Sequence, residues 1–390
     1  MDAGLESSAH LFLGTFPPRR CGVATFTQDL ISAVDSATRG FSEVVAIDDS
    51  PAGEGYAYSG RVIARLRQNE RASYREIAHL INRRHYRTLS VQHEFGLFGG
   101  ADGEWLLDLF KLVRKPIALT LHTVLPAPSA SHRRLVARLC RASECVVVLS
   151  EGARGLLLGE YDVEPRSVRM IPHGVPDVAF SETEKYKRAT GLGGRFVVST
   201  FGLLGPGKGL EMALDAIAQT ASSLPEVLYL ILGATHPVVA RRDGEAYRQA
   251  LRARIRSRDI ERNVLMIDRY LTISDLLFYL AMTDAYLTPF VNADQVVSGT
   301  LAYAAGAGRA IVSTPYLYAR ELLADGRGIV VPFGDATAMA AALGRLARDD
   351  DYRLAMGRKA YAFGRSMTWP VVGHTYAALL NSITSTAVNR

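Results

Sequence analysis

Cysteine is scarce in this chain of 390 residues, with only Cys21, Cys140 and Cys145. Three thiols at irregular spacing exclude a disulfide framework and a cysteine-built zinc site. Long apolar runs are missing too, since no stretch approaches the ~18 consecutive residues that span a bilayer. The short run Leu11–Leu13 follows Asp2 and Glu6, where a secretion signal would be basic. A reducing, cytoplasmic setting is the resulting expectation. Two nucleotide signatures are also absent. Gly22 stands alone within PPRRCGVAT, so no G-x-G-x-x-G follows the first strand, and Lys208 is followed by Gly209 rather than by Ser or Thr. Nicotinamide-dependent hydride transfer and P-loop hydrolysis are both disfavoured. No convincing acidic metal cluster stands out, because Asp48–Asp49 and Asp349–Asp351 read as solvated surface acids. Nothing in the sequence interleaves aromatic with basic residues, so nucleic acid is not an expected partner.

What remains is an ordinary globular composition, 48% apolar and 22% charged, long enough for two or three domains. The formal net charge is +6, which suits acidic partners such as nucleotide phosphates or an anionic membrane surface. Much of the base lies between Arg61 and Arg87 and between Arg241 and Arg262. Both stretches also carry acids at helical spacing, so they read first as solvated helix faces, with membrane or acceptor contact as the alternative.

Strand and helix patterns alternate along the chain. Strands are expected at His10–Thr15, Glu43–Ile47, Leu89–Val91, Ile117–Leu121 and Cys145–Leu149, with a helix over Ala24–Ala37. Val175–Gly194 breaks the pattern with Pro176, charges and glycines and reads as a linker. Strands then recur at Arg195–Phe201, Val227–Leu232, Val264–Ile267, Ala285–Thr288, Ala310–Ser313 and Gly328–Val331. Such alternation predicts two α/β halves, each a parallel sheet covered on both faces, with ligand groups at the carboxyl ends of the strands.

The stretch VSTFGLLGPGKGLEM, residues 198–212, carries the clearest chemistry. A β-branched strand runs into a glycine-rich turn with one lysine, and a helix follows. Such a turn faces amides at an anion, and Lys208 adds a full charge. A phosphate turn opening the second half predicts a nucleotide-dependent enzyme with its site in a cleft between two domains.

With these pieces in order, the chain resembles glycosyltransferase family 4, the retaining nucleotide-sugar enzymes of the two-Rossmann GT-B fold. PPRRCGVATFTQDL resembles the family's first-strand glycine loop. VVVLSEGARGLLLGEYDVEPRSVRMIPHGVPD is similar to its run of serine, helix and I-P-x-G-V. FGLLGPGKGLE resembles its G-R-L-x-x-x-K-G turn. The resemblance implies an α/β, GT-B architecture with two Rossmann-like domains facing a cleft. Residues 1–178 would bind the acceptor, residues 179–366 the nucleotide sugar, and residues 367–390 would form a helix packing back on the first domain.

The same resemblance implies a retaining, metal-independent transfer of a sugar from a nucleotide diphosphosugar to a saccharide or lipid-linked acceptor, with no further cofactor. Mannose from GDP-mannose is the first expectation and a UDP-linked hexose the next. An epimerase or phosphorylase of the same fold, or a non-catalytic nucleotide- or glycan-binding module, stands as a further alternative. Peripheral contact with the inner membrane surface is a further expectation. Lys208 and amides around Gly205, Gly207 and Gly209 would hold the leaving diphosphate. Ser298, Gly299 and Thr300 would add amides from a helix N-terminus, where the plain reading is a serine N-cap. Gly22 would let the first loop approach the diphosphate or the acceptor. His122 matches a family histidine that contacts the transferred sugar or its phosphate. His93 and Glu94 read as acceptor-pocket residues, and His173 as a packing or hinge residue. A front-face attack needs no protein nucleophile, whereas a double displacement would use Asp294 or Glu94. The chain departs from the family twice. The paired family glutamates fall near Asp294 or Gln295 and on Leu301 or Tyr303, and Leu203 stands where arginine is frequent, with Arg269 or Arg309 as candidate substitutes.

Overall fold

The structure is a computed structural model describing residues 10–51 and 54–388, with side chains described as far as residue 385. Asp2 and Glu6 lie outside the described residues. The chain divides into two compact units, one holding the residues up to Gly174 and those from Trp369 onward, the other Val175–Thr368.

Seven strands form the sheet of the first unit: β1 (Leu11–Gly14), β2 (Glu43–Asp48), β3 (Val62–Arg67), β4 (Leu89–His93), β5 (Ile117–Leu121), β6 (Cys145–Val148) and β7 (Val168–Met170). They are parallel, in the order β3-β2-β1-β4-β5-β6-β7. The order reverses between β1 and β4, so their carboxyl ends open the crevice where such sheets take ligands. The helix Gly22–Thr38 covers one face beside the C-terminal helix Trp369–Val388. The latter drives Tyr376 into the sheet. Its ring stacks on Phe12 at 6.4 Å, and its hydroxyl meets Ser90 Oγ at 2.8 Å and Thr120 Oγ1 at 2.9 Å. Gly373 has no room for a side chain, because a Cβ there would collide with the backbone of Ala33.

The second unit has six parallel strands: β8 (Phe196–Phe201), β9 (Val227–Leu232), β10 (Val264–Ile267), β11 (Ala285–Thr288), β12 (Ala310–Ser313) and β13 (Ile329–Val330), ordered β10-β9-β8-β11-β12-β13. Side chains of β9 alternate between two cores. Leu228, Leu230 and Leu232 enter one, and Val227, Tyr229 and Ile231 the other. Both faces are therefore covered, as continuous apolar strands require. Here the switch lies between β8 and β11, and the glycine-rich turn follows β8.

Several expectations need correction. The basic stretch from Arg61 contains a strand, β3, before its helix Arg71–Arg83. β7 is a further strand absent from the sequence reading, and β4 extends through Gln92 and His93. The segment Val175–Gly194 is no linker. Its helix Thr183–Ala189 buries Lys187, whose ammonium lies 2.9 Å from Asp284 Oδ2 and 2.9 Å from Arg195 O. The units divide after Gly174 and after Thr368, where sequence placed the boundaries at 178/179 and 366/367. Pairing sets these points: Val175 N donates to Met367 O at 2.8 Å, and Val175 bridges Thr368. Many of the basic residues find partners: Arg61 with Asp35, Arg71 with Asp108, and Arg254 and Arg258 with Asp215.

Candidate functional site

In the second unit the turn after β8 is built by glycine. Gly202 sits at φ 123° and Gly209 at φ 62°, and a Cβ on Gly209 would collide with Pro289 O just beyond β11. These positions admit glycine because side chains are strained there. The turn is laced to its neighbours: Leu204 N donates to Ala234 O, His236 N to Leu204 O and Val291 N to Gly207 O. Of the amides expected to face a phosphate, two are spent inside the turn. Lys208 N donates to Gly205 O and Gly209 N to Pro206 O. Among the described residues, the amides of Gly205 and Gly207 remain without a protein acceptor.

Lys208 rises from this turn half-buried, its Nζ 4.2 Å from the Phe290 ring centroid. No carboxylate pairs with it among the described residues. Burial lowers its pKa from 10.5 to about 8. A charge held out of water with no counter-ion costs free energy, which an arriving anion would relieve. The helix Gly299–Gly306 begins beside it. Ser298 caps this helix by accepting from Leu301 N at 3.3 Å, so the N-cap reading holds, and the amides of Gly299 and Thr300 stay free for a ligand. A Cβ added to Gly202 would stand 3.3 Å from Thr300 Cγ2 and 3.5 Å from Lys208 Nζ, so lysine and helix start flank one glycine. Gly202→Ala should therefore weaken nucleotide binding about tenfold and cost about 1–3 kcal/mol of stability from backbone strain. Calorimetric titration and urea unfolding measure both, and unchanged affinity would contradict this geometry.

Asp294 is not gathered into this cluster. It is exposed in the loop after β11, where its amide donates to Asn292 Oδ1, and no bond joins it to Lys208, Ser298 or Thr300. Leu301 and Tyr303 are core residues, so no acid stands at either alternative for the second family glutamate. Neither arginine suggested as a substitute for the missing one is available. Arg309 precedes β12, at the amino edge of the sheet, and spends its guanidinium on Ala307 O, Thr283 O and Ser181 O. Arg269 forms a two-point pair with Asp275.

In the first unit, Gly22 opens the helix Gly22–Thr38, capped by Cys21 Sγ, and a Cβ there would meet nothing within 4 Å. Open space, not protein packing, faces this glycine. His122 follows β5. Its backbone amide donates to His93 O, and its Nε2 meets Gln92 Oε1 at 3.0 Å. Gln92 gives its own Nε2–H to Ser90 Oγ, so its oxygen accepts, and His122 carries its proton on Nε2. The Nδ1 lone pair is then the acceptor. Burial, helped by His173 and His93, lowers the His122 pKa to about 3, so the ring is neutral. Phe26 gathers the surroundings, at 4.7 Å from His122, 5.0 Å from His173 and 5.5 Å from Trp369. His173 packs in this aromatic group, beside a Gly174 that leaves no room for a Cβ against Trp369.

Glu94 is half-buried. Its carboxylate accepts from Thr123 Oγ1 at 2.7 Å and from Phe95 N at 2.7 Å, and burial raises its pKa. His93 differs from its neighbour. It is 1% exposed, stacked on Phe98 and edge-on to Phe95, and neither ring nitrogen has a partner. Its ring is sealed in, and what it offers is the carbonyl that holds His122. Sequence reasoning missed Phe26, Gln92, Phe290 and His236. Only Phe26, inside the first-loop motif, left a readable signal. Among the described residues, no group of three or more His, Cys, Asp and Glu side chains is placed to share a metal ion, and no helix is long and apolar enough to cross a membrane.

Two parallel-sheet units of this kind, with a glycine–lysine turn at the switch of the second, define the GT-B class of fold. Residues 21–178 match the family described as Glycosyltransferase Family 4, and residues 195–349 match Glycosyl transferases group 1. The chain belongs to this family and is a glycosyltransferase. Solved structures agree on the fold. Sucrose-phosphate synthase from Thermosynechococcus elongatus superposes with a TM-score of 0.78 at 15% identity, covering 97% of this chain and 100% of that one. Anabaena HepE in complex with UDP and glucose gives 0.74 at 16%, covering 96% and 100%. The UDP-forming α,α-trehalose-phosphate synthase from Burkholderia vietnamiensis gives 0.68 at 16%, covering 96% and 100%. No curated protein sequence matches the chain.

Proposed function

We propose that this glycosyltransferase takes a hexose from a nucleoside-diphosphate donor, GDP-mannose first, and passes it with retention of configuration to a saccharide or lipid-linked hydroxyl. One observation carries the donor reading: an ammonium without a counter-ion, flanked by the free amides of Gly205, Gly207, Gly299 and Thr300. A leaving diphosphate gains negative charge as its bond to the sugar breaks, and preset donors stabilise that charge without reorganising. A UDP-linked hexose is the second reading, favoured by the UDP held in the Anabaena protein and the UDP-forming trehalose-phosphate synthase.

In the proposed reaction, the acceptor hydroxyl attacks the anomeric carbon from the face the nucleotide leaves. The carbon–phosphate-oxygen bond breaks as the new glycosidic bond forms, and a departing phosphate oxygen takes the hydroxyl proton. The neutral His122, with its lone pair on Nδ1, suits a hydrogen bond from a sugar hydroxyl better than one to a phosphate. Glu94, held by Thr123, suits the acceptor hydroxyl. The exposure of Asp294 argues against its use as a nucleophile.

Titration of the purified protein with GDP and UDP tests the donor. Saturable binding of one, weaker binding of the other and a product of unchanged anomeric configuration are expected. Binding of neither at millimolar concentration would remove the donor reading, and an inverted product would remove the retaining mechanism.

A further inference from the structure

A diphosphate leaving group carries more charge than one lysine answers, and Arg269 and Arg309 are occupied elsewhere. The carboxyl end of β9 supplies another donor. Beyond β9 the chain runs Gly233, Ala234, Thr235 and His236. This segment is tied to the lysine turn by a short parallel bridge, Leu204 to Thr235, with Leu204 N donating to Ala234 O at 2.9 Å and His236 N to Leu204 O at 2.8 Å. Gly233 presses against the backbone of Gly202, and a Cβ on Gly205 would stand 3.3 Å from Val239 Cγ2. His236 is thus fixed to the same turn as Lys208 and lies within reach of its charge.

The ring is also fixed in its proton state. Val238 N donates to His236 Nδ1 at 3.2 Å, so Nδ1 holds a lone pair and the proton sits on Nε2. The side chain is half-buried, and among the described residues no protein acceptor takes the Nε2–H. Burial, then the charges of Lys208 and Arg241, lowers its pKa, which keeps the imidazole neutral beside the ammonium. The carboxylates that follow on this segment are engaged elsewhere, Asp243 with Arg242 and Glu245 with Thr235 and Arg248.

We infer that His236 is a second side-chain contact to the donor diphosphate, giving its Nε2–H to an oxygen of the β-phosphate while Lys208 supplies the charge. The inference rests on the donor reading above and adds one residue to it. A neutral donor makes a hydrogen bond to an anion without the repulsion a second cation would bring against Lys208. It also means that a single side chain both caps the segment after β9 and reads the phosphate.

The test separates these two tasks. His236→Ser keeps an oxygen that accepts from Val238 N but cannot reach the ligand. His236→Gln restores an N–H at longer reach. UDP, GDP, UMP and GMP are titrated into the wild type and both variants, and thermal melting is followed without ligand. The expected result for His236→Ser is an unchanged melting temperature, about tenfold weaker nucleoside diphosphate binding and unchanged monophosphate binding, with partial recovery in His236→Gln. Equal losses for mono- and diphosphate, or undiminished diphosphate binding in His236→Ser, would overturn the inference while leaving the donor reading intact. A loss that tracks a lowered melting temperature would assign His236 a purely structural role and overturn it too. If the wild type binds neither diphosphate, the donor reading falls and this inference with it.

Discussion

Lys208→Ala is expected to lower kcat/KM by about 10²–10³-fold, the usual effect of removing one preset donor to a developing anion. Nucleoside diphosphate binding should weaken with it. The ligand-free protein should not lose stability, because the ammonium has no ion-pair partner to forfeit. Lys208→Met should raise the melting temperature, since it removes a desolvated charge and leaves an apolar chain against Phe290. The pH dependence follows from the lowered pKa of about 8. Between about 8 and the ordinary value of 10.5 the unfolded chain holds this proton more firmly than the folded one. Lys208 therefore makes ligand-free stability rise with pH across that window, and its penalty is fully present below it. Diphosphate affinity moves the opposite way, falling as pH rises through about 8, because the ligand needs the ammonium. Calorimetric titration and melting at several pH values read both trends. A Lys208→Ala variant that melts early, or binds diphosphate as the parent does, would contradict this account.

The second large effect concerns the C-terminal helix. Tyr376→Ala should cost about 3–5 kcal/mol, as for other buried aromatic deletions. It removes the stack on Phe12 and leaves Ser90 and Thr120 without their shared phenol. Gly373→Val should be damaging as well, because its side chain would drive into Ala33. Tyr376→Phe keeps the ring and should lose only about 1–2 kcal/mol. Urea unfolding measures the differences. Limited proteolysis should cut the unit that contains Tyr376 first while Val175–Thr368 persists. An unshifted unfolding midpoint for Tyr376→Ala would show that the helix is dispensable to that unit.

The strands were legible where burial on both faces demands an unbroken apolar run. β5, β9, β11 and β12 coincide with the stretches read from sequence, and the edge strand β10 was legible too because its run VLMI is apolar throughout. The two missed strands, β3 and β7, are the edges of their sheet. An edge strand has fewer apolar neighbours to satisfy, and β3 (VIARLR) alternates charge with aliphatics, which reads equally as a basic helix. The glycine–lysine turn was readable because its chemistry is local. The division of labour among its amides was not, since only the folded turn reveals that Lys208 and Gly209 spend theirs internally. Sequence could not separate Arg309 from a ligand contact either, because the amino and carboxyl edges of a strand look alike until the strand direction is known. His236 lay in a tripeptide, ATH, with no motif, and acquires meaning only through its bridge to Leu204.

The paired crossings, Gly174 to Val175 and Thr368 to Trp369, make Val175–Thr368 a continuous insertion in the other unit. During synthesis the ribosome therefore releases all of that inserted half before the last helix of its host appears. Order of translation and order of completion are reversed: the unit whose strands β1–β7 emerge first is finished after the inserted one, waiting for Tyr376 to close over Phe12.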